Sequence, residues 1–339
     1  MNQFWGDYPV IRSDLHRIQS IILDNAGSGN SELSRALRDF AMRGGKMLRP
    51  AFVLLAAYMK EPRGGLFARA SAASFNGALP EKIYRIAAAV EMLHMATLIH
   101  DDILDDAHTR RGSPALHRRV GSKAAVLMGD LLFSRCFSLV ADYATVNSGR
   151  QLARSVTHMC SGEIEQARSD RPQELSERVY LRRVTEKTGL LFLLSFHVGA
   201  HENGVNGYRL ELLRRIGYNV GVGFQIIDDL LDFTGNEQDL GKPIAGDLRQ
   251  GIYTLPVIAA LRKGDTELLQ LLTNGGTAND DQRIRRAVTL VDKNGGFAYA
   301  REQAARYTAR AASAARALPE GEVREAIIDI TERLLNRGC

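Results

Sequence analysis

Two acidic segments set into apolar, helix-forming stretches constrain this 339-residue chain more than any other feature. In HDDILDDA, residues 100–107, Asp101 precedes Asp105 by four residues and Asp102 precedes Asp106 by four, so in a helix the carboxylates project along neighbouring tracks of one face. In FQIIDDLLDFTG, residues 224–235, Asp228 and Asp232 repeat that spacing and Asp229 adjoins them. Like charges one turn apart oppose helix formation by roughly 0.2–0.5 kcal/mol per pair, a cost that bound cations reverse. The flanking Ile, Leu and Phe require packing, which argues against one continuous solvated face, and Asp101 lies too deep in an apolar run for a helix cap.

The chain around these segments has helical period. Residues 31–60 read as helix interrupted by RGGKMLRP at 43–50, with a second helix starting at Pro50, a residue tolerated in a first turn. LFARASAAS, between EPRGG and NGALP, reads as a short helix, and the Ala-, Leu- and Met-rich run from Lys82 as a long one ending by about Gly112. Further helical patterns cover 120–146, 150–170, 174–200 and 207–234, followed by a loop at 235–253, a helix from TLPVIAALRKG, and amphipathic helices over 280–335 joined near Pro319. No series of alternating strands emerges, so the expected class is all-α, a helical bundle. If the two acidic helices face each other across it, their carboxylates form opposite walls of an oxygen-rich cavity.

The composition, 45% hydrophobic and 24% charged, is that of a folded chain rather than a disordered one. Cys136, Cys160 and Cys339 have neither the number nor the spacing of a disulfide framework or zinc knuckle, and the first two read as small core residues. The N-terminal stretch lacks a basic segment followed by an apolar run, which points to a cytoplasmic location. The net charge of +5 suits nucleic acid, an anionic surface or small phosphorylated substrates. No nucleic-acid motif accompanies it, and basic residues beside acidic clusters suit a metal diphosphate better than a DNA backbone, so no nucleic-acid partner is expected.

The chemistry follows from charge. Magnesium prefers oxygen ligands and is usually shared between carboxylates, waters and substrate phosphates. An allylic diphosphate departs only when the negative charge developing on its leaving oxygens is neutralised, which metal ions and basic side chains accomplish together. Arg110 and Arg111, just beyond the first cluster, are suited to bidentate contacts with a diphosphate. Lys187 and Thr188 in EKTG, Gln225, and Lys242 in GKP are further candidates.

Over nearly its whole length the sequence resembles the trans-type prenyl diphosphate synthases, most closely the medium- and long-chain members and their catalytic subunits. GGKMLRP at 44–50, DDILD at 101–105, RRG at 110–112, GEIEQ at 162–166, EKTG at 186–189, GFQIIDDLLDFTG at 223–235, and LGKP, GDLRQG and TLP between 240 and 256 match family segments in order. The resemblance implies one domain over 1–339, an isoprenoid-synthase-type bundle around a deep central cavity, with 1–30 a peripheral N-terminal segment. It implies three magnesium ions held by Asp101, Asp102 and Asp105 on one wall and by Asp228 and Asp232 on the other. Arg110, Lys187 and Lys242 would bind the allylic diphosphate, and Lys46, Arg49, His94 and Arg111 isopentenyl diphosphate. Thr188 and Gln225 would lie beside the reacting carbons. The family is usually dimeric, and some members work with a small regulatory subunit; release of a long lipid product implies transient membrane association.

One departure is visible: many family members carry Lys after the second glycine of GDLRQG, where this chain has Ile252. Product length is read from the residues upstream of Asp101. Thr97, Ala96 and then Leu93 form the first floor of a tunnel that deepens by about 5.4 Å per helical turn. Small residues there favour a product beyond fifteen carbons, and thirty to forty carbons for a quinone side chain is the expectation, with geranylgeranyl diphosphate synthesis as the shorter alternative. A terpene cyclase shares the acidic clusters but leaves Lys46, Arg49 and Arg111 without a purpose. A metal phosphohydrolase built on His94, His100 and Asp101 leaves the second cluster unexplained, and a non-catalytic subunit leaves both the acidic and basic sets so.

Overall fold

The computed structural model describes residues 4–27, 31–43, 45–60, 73–75, 77–110, 112–166, 176–235, 244–273 and 281–335. The chain runs α1 (Pro9–Asn25), α2 (Glu32–Met42), α3 (Leu48–Tyr58), α4 (Glu81–Leu104), α5 (Leu116–Val120), α6 (Ser122–Tyr143), α7 (Val146–Gln166) and α8 (Glu177–Val184). A π-helical turn, Thr185–Gly189, leads directly into α9 (Leu190–Glu202). The remainder is α10 (Gly207–Thr234), α11 (Gly246–Arg249), α12 (Leu255–Leu261), α13 (Thr266–Thr273), α14 (Asp281–Lys293), α15 (Gly296–Arg316) and α16 (Glu322–Leu335). Among the described residues the sheet content is one two-residue pairing, Thr109–Arg110 against Ser113–Pro114, so the all-α expectation holds.

Most predicted helices are present with shifted ends. The helix expected from Pro50 starts two residues earlier, which leaves Pro50 in its first turn. The stretch 174–200 is broken by the π-helical turn, and the loop expected over 235–253 contains α11. The short helix expected at LFARASAAS falls mostly outside the described residues. Cys136 is buried as expected, whereas Cys160 is exposed, because the face of α7 that carries it is not packed.

The chain divides into two compact units. The first comprises Met1–Ala153, Leu191–Arg214 and Arg316–Ile327; the second comprises Arg154–Leu190, Arg215–Ala315 and Ile328–Cys339.

In the first unit α3 is buried on all sides, Ala51 through Ala57 being inaccessible to solvent, which marks it as a core helix rather than an amphipathic surface one. Phe52 on α3 stacks on Phe196 of α9 at 4.7 Å and meets Phe192 at 5.7 Å. The α3–α9 crossing is close enough to require glycine: a Cβ on Gly199 would lie 2.0 Å from the Val53 carbonyl oxygen. The C-terminal end of α3 is satisfied from outside, by Asn203 Nδ2 donating to the Ala57 carbonyl at 2.9 Å and Arg209 Nη1 to that of Met59 at 3.1 Å. The segment expected to be peripheral carries α1, whose stripe of Ile11, Leu15, Ile18, Ile21 and Ile22 is buried. Asp14 on the same helix accepts hydrogen bonds from Tyr58 of α3 and Tyr84 of α4, at 2.8 and 3.0 Å. Residues 9–25 are therefore part of this unit's core, because full burial of each such Ile or Leu contributes about 1.5–3 kcal/mol.

Helix α4 packs chiefly along α6, and the two meet at Gly129, where a Cβ would fall 2.2 Å from His100 Nε2. By length and composition α6 is also apolar enough to cross a membrane, with a third of its apolar window (33%) buried.

In the second unit Glu177, in the first turn of α8, accepts hydrogen bonds from Arg262 at 2.6 Å and from the Tyr299 hydroxyl at 2.8 Å. The α12–α15 approach again uses a glycine, since a Cβ on Gly296 would lie 2.3 Å from the Pro256 carbonyl oxygen. Phe233 on α10 meets Phe297 on α15 at 5.6 Å.

Candidate functional site

The first acidic set belongs to the first unit. Asp101 and Asp102 occupy the last turn of α4, Asp105 is its C-cap, and Asp106 lies beyond it in the left-handed region at φ 48°. The continuous acidic track expected from the spacing is thus cut short after Leu104. Carboxylates are unfavourable at the negative end of a helix dipole, and an ion pair between Arg118 and Asp106 at 2.6 Å holds the exit.

Asp102 differs from its neighbours in burial. Its side chain is 1% exposed, and its Oδ1 accepts from Arg110 Nε at 2.8 Å and pairs with Nη2 at 2.5 Å. Its Oδ2 is buried with no hydrogen-bond partner among the described residues. A buried carboxylate oxygen with no donor is costly unless a cation completes it. Asp101 is half-buried and Asp105 exposed, so the set runs from a fixed inner carboxylate to an open outer one.

Six other expected residues belong to this unit. Lys46 and Arg49 flank Met47 at the start of α3; the Lys46 ammonium stands 4.8 Å from the Phe4 ring centroid and the Arg49 guanidinium 4.9 Å from that of Phe192. Trp5 Nε1 donates to the Lys46 carbonyl at 2.6 Å and fixes the backbone there. His94 is half-buried on α4. Leu93 and Ala96 are fully buried, and the half-buried Thr97 donates its hydroxyl to the His94 carbonyl at 2.8 Å. Arg111 and Lys242 lie outside the described residues.

The second acidic set belongs to the second unit. Asp228, Asp229 and Asp232 all stand on α10, but the helix presents them differently: Asp228 exposed, Asp229 buried, Asp232 half-buried. Asp232 accepts from the backbone N–H groups of Gly246 and Asp247, both at 3.2 Å, and so caps the short helix α11. That contact brings Asp247 to the cluster. Burial pushes the Asp247 carboxyl up to about 8, reinforced by Asp232, Asp229 and Asp228 and opposed by Lys187. Burial likewise pushes Asp229 up to about 7, with Asp228 and Asp232 adding to it against hydrogen bonds from Tyr180 and Gln225.

Of the basic and polar partners, Lys187 and Thr188 come from the π-helical turn, Tyr180 from α8 and Gln225 from α10. Lys187 pairs with Glu163 of α7 at 2.9 Å. Thr188 is buried and donates to Gln225 Oε1 at 2.7 Å; Gln225 Nε2 donates to Asp229 Oδ1 at 2.8 Å; and the Tyr180 hydroxyl donates to Asp229 Oδ2 at 2.6 Å. Such turns displace side chains from the α-helical register and recur at functional sites. Sequence reasoning assigned no role to Tyr180, Asp229 or Asp247. The available signals were Asp229 adjoining Asp228, the acid within GDLRQG, and a tyrosine two turns before Thr188.

Both sets fit magnesium. Their donors are all oxygen; among the described residues the second gathers four carboxylates about Lys187, and the first has a buried oxygen with no donor. Among the described residues no three His, Cys, Asp or Glu side chains converge to hold an ion by themselves. Magnesium needs no such cage, since it is commonly held by one or two carboxylates together with substrate phosphates and water.

Comparison with known proteins gives a family match. Residues 30–291 match the family model described as polyprenyl synthetase. The chain is 32% identical over 323 residues to heptaprenyl diphosphate synthase component 2 of Geobacillus stearothermophilus, covering 95% of each sequence. Among solved structures it resembles heptaprenyl diphosphate synthase from Staphylococcus aureus, with a TM-score of 0.87 at 27% identity and coverage of 97% of this chain and 99% of that one. It also resembles a polyprenyl synthase from Caulobacter crescentus complexed with calcium and isoprenyl diphosphate, with a TM-score of 0.85 at 30% identity, covering 97% and 96%.

Proposed function

Because the chain belongs to the polyprenyl synthetase family, we propose that it is a magnesium-dependent trans-prenyltransferase that joins an allylic diphosphate to successive isopentenyl diphosphates, releasing a medium- or long-chain polyprenyl diphosphate. The observation that carries the reading is the charge imbalance of the acidic sets among the described residues: four carboxylates about Lys187, and an Asp102 oxygen buried without a donor. Such an arrangement is costly alone and becomes favourable around divalent cations. The whole chain, 1–339, is read as one polyprenyl synthase domain, a reading supported by a match that covers 95% of this chain and 95% of that relative.

Asp101, Asp102 and Asp105, together with Asp228 and Asp232, would hold magnesium, three ions in all when diphosphate is bound. Magnesium there neutralises the charge that develops on the departing diphosphate. Asp228, exposed on α10, is the primary ligand of the second set, while Asp232 shares its oxygens with the N-terminus of α11. Asp102 holds Arg110 by Oδ1, which orients the guanidinium for the diphosphate and leaves Oδ2 for the metal. Lys187, with Lys242, binds the same diphosphate. Lys46, Arg49, His94 and Arg111 position isopentenyl diphosphate, whose own diphosphate must stay attached and needs cationic side chains rather than metal. Thr188 and Gln225 offer oxygen dipoles to the allylic cation.

The product is proposed to contain thirty to forty carbons, supported by the small Ala96 and by a relative named for heptaprenyl diphosphate. The protein is proposed to be cytoplasmic and to act as a homodimer, or as a heterodimer with a small regulatory subunit; the relative's designation as component 2 and Ile252 in place of the common lysine favour testing the second arrangement. The exposed Leu127 and Phe137 of α6 support transient membrane association during product release. The experiment is mass spectrometry of products formed from farnesyl diphosphate, isopentenyl diphosphate and magnesium, with and without host-cell extract. A ladder ending at thirty to forty carbons is expected. Cyclic hydrocarbon without isopentenyl diphosphate, or hydrolysis alone under both conditions, overturns the proposal.

A further inference from the structure

Thr188 and Gln225 do not stand alone. Tyr180 and Thr188 lie on one segment, α8 and the turn that follows it, and Gln225 and Asp229 lie one turn apart on α10, so the four side chains form two rungs between two elements. We infer that Tyr180 and Asp229 are positioning residues, which fix the Gln225 amide and through it the direction of the Thr188 hydroxyl at the reacting carbons. The inference rests on the function proposed above.

The argument is one of donors and acceptors. The Asp229 carboxylate accepts from Tyr180 at Oδ2, 2.6 Å, and from Gln225 Nε2 at Oδ1, 2.8 Å. An amide donates only from nitrogen, so the contact with Asp229 sets which way Gln225 faces and turns its carbonyl oxygen toward Thr188. A flipped amide would set oxygen against oxygen at Asp229 and is excluded while that group accepts. The Thr188 hydroxyl has a single proton, and it goes to Gln225 at 2.7 Å. Its lone pairs are then what it offers to any neighbour, the polarity a developing allylic cation requires. Tyr180 and Asp229 are each 5% exposed and Thr188 6%, so water does not replace a lost partner. Tyr180 is the anchor: without its hydroxyl, Asp229 keeps one side-chain partner and can rotate about it.

The same bonds would also be expected of a purely structural brace between α8 and α10. A thermodynamic cycle separates the two roles. Tyr180→Phe keeps the ring and its packing, and Thr188→Val removes the hydroxyl while keeping its shape. In the wild-type background Tyr180→Phe is expected to lower kcat about 10- to 100-fold with the KM for isopentenyl diphosphate changed less than about two-fold. In the Thr188→Val background the same change should lower kcat less than about two-fold. A readout independent of turnover is the methyl resonance of isotope-labelled Thr188, expected to shift in Tyr180→Phe. Equal losses in both backgrounds, or an unchanged Thr188 resonance, overturn the inference and leave a brace. Absence of condensation by the wild-type protein would instead remove the proposed function, while the resonance still reports on the relay.

Discussion

Replacing Asp102 with Asn separates cation binding from folding. The substitution keeps the shape of the side chain and an oxygen facing Arg110, and it removes the charge together with the buried Oδ2. On the stability side, an ion pair becomes a hydrogen bond from the charged Arg110 to a neutral amide oxygen, a loss of about 1 kcal/mol. Arg110 is 29% exposed, so water supports it when the charge goes, and relief from burying an anion with an incomplete shell offsets part of the loss. The net change is expected within about 1 kcal/mol, a shift of a few degrees in the melting temperature at most. On the activity side, a ligand that meets charge formed only in the transition state is removed. The expected fall in condensation is at least about 100-fold, or about 2.7 kcal/mol of transition-state stabilisation, with a rise in the magnesium concentration giving half-maximal rate. The assay is condensation of labelled isopentenyl diphosphate with farnesyl diphosphate across a magnesium series, beside thermal melts without substrate. Condensation at the wild-type rate with the same magnesium dependence refutes the assignment of Oδ2. A melting temperature lowered in proportion to the activity assigns Asp102 to the scaffold instead.

Three further outcomes are expected. Gly199→Ala should destabilise by about 1–3 kcal/mol or more in chemical denaturation, because its Cβ would meet the Val53 carbonyl at 2.0 Å, whereas Gly149→Ala, whose Cβ would make an ordinary 3.7 Å contact, should be neutral or stabilising by up to about 1 kcal/mol; equal effects would contradict the close crossing. Ala96→Phe should shorten the product ladder measured by mass spectrometry, and an unchanged ladder in a folded variant removes the tunnel along α4. His197 is pushed down to about 4 by burial, then by Arg214 and His201, with Glu202 opposing. Its folded value lies below its unfolded one, so its contribution is complete above about pH 6.5 and is lost as pH falls toward about 4. Urea titrations should show an acid limb on the order of 2–3 kcal/mol, which His197→Leu flattens; an identical limb in the variant refutes the assignment.

The sequence made legible what depends on local period. The long helices around Ala87–Ala89 and Ile226–Leu231 follow from their spacing, as do the two acidic sets they carry. What it left hidden depends on partners far along the chain. Asp105 and Asp106 fit a helical track by spacing, yet the helix ends before them because the Arg118 pair and the helix dipole favour an exit. Asp229 and Asp228 are adjacent and chemically identical, and only Tyr180 and Gln225, 49 residues before and one turn before Asp229, make one a buried anchor and leave the other exposed. Asp247 joins the cluster because Asp232 caps α11, a contact between residues 15 apart that no periodicity announces. The π-helical turn at Thr185–Gly189 is invisible to a 3.6-residue period because it is a single-turn departure from it.

The most direct test of the central claim is a count of divalent ions held together with an unreactive allylic diphosphate analogue, read from bound manganese by electron paramagnetic resonance in the wild-type protein and in the Asp101→Ala and Asp228→Ala variants. If each acidic set takes up magnesium with the diphosphate, the wild type binds several ions only when the analogue is present, and each variant alone loses ions and analogue affinity. An unaltered ion count and analogue affinity in either folded variant would contradict the account.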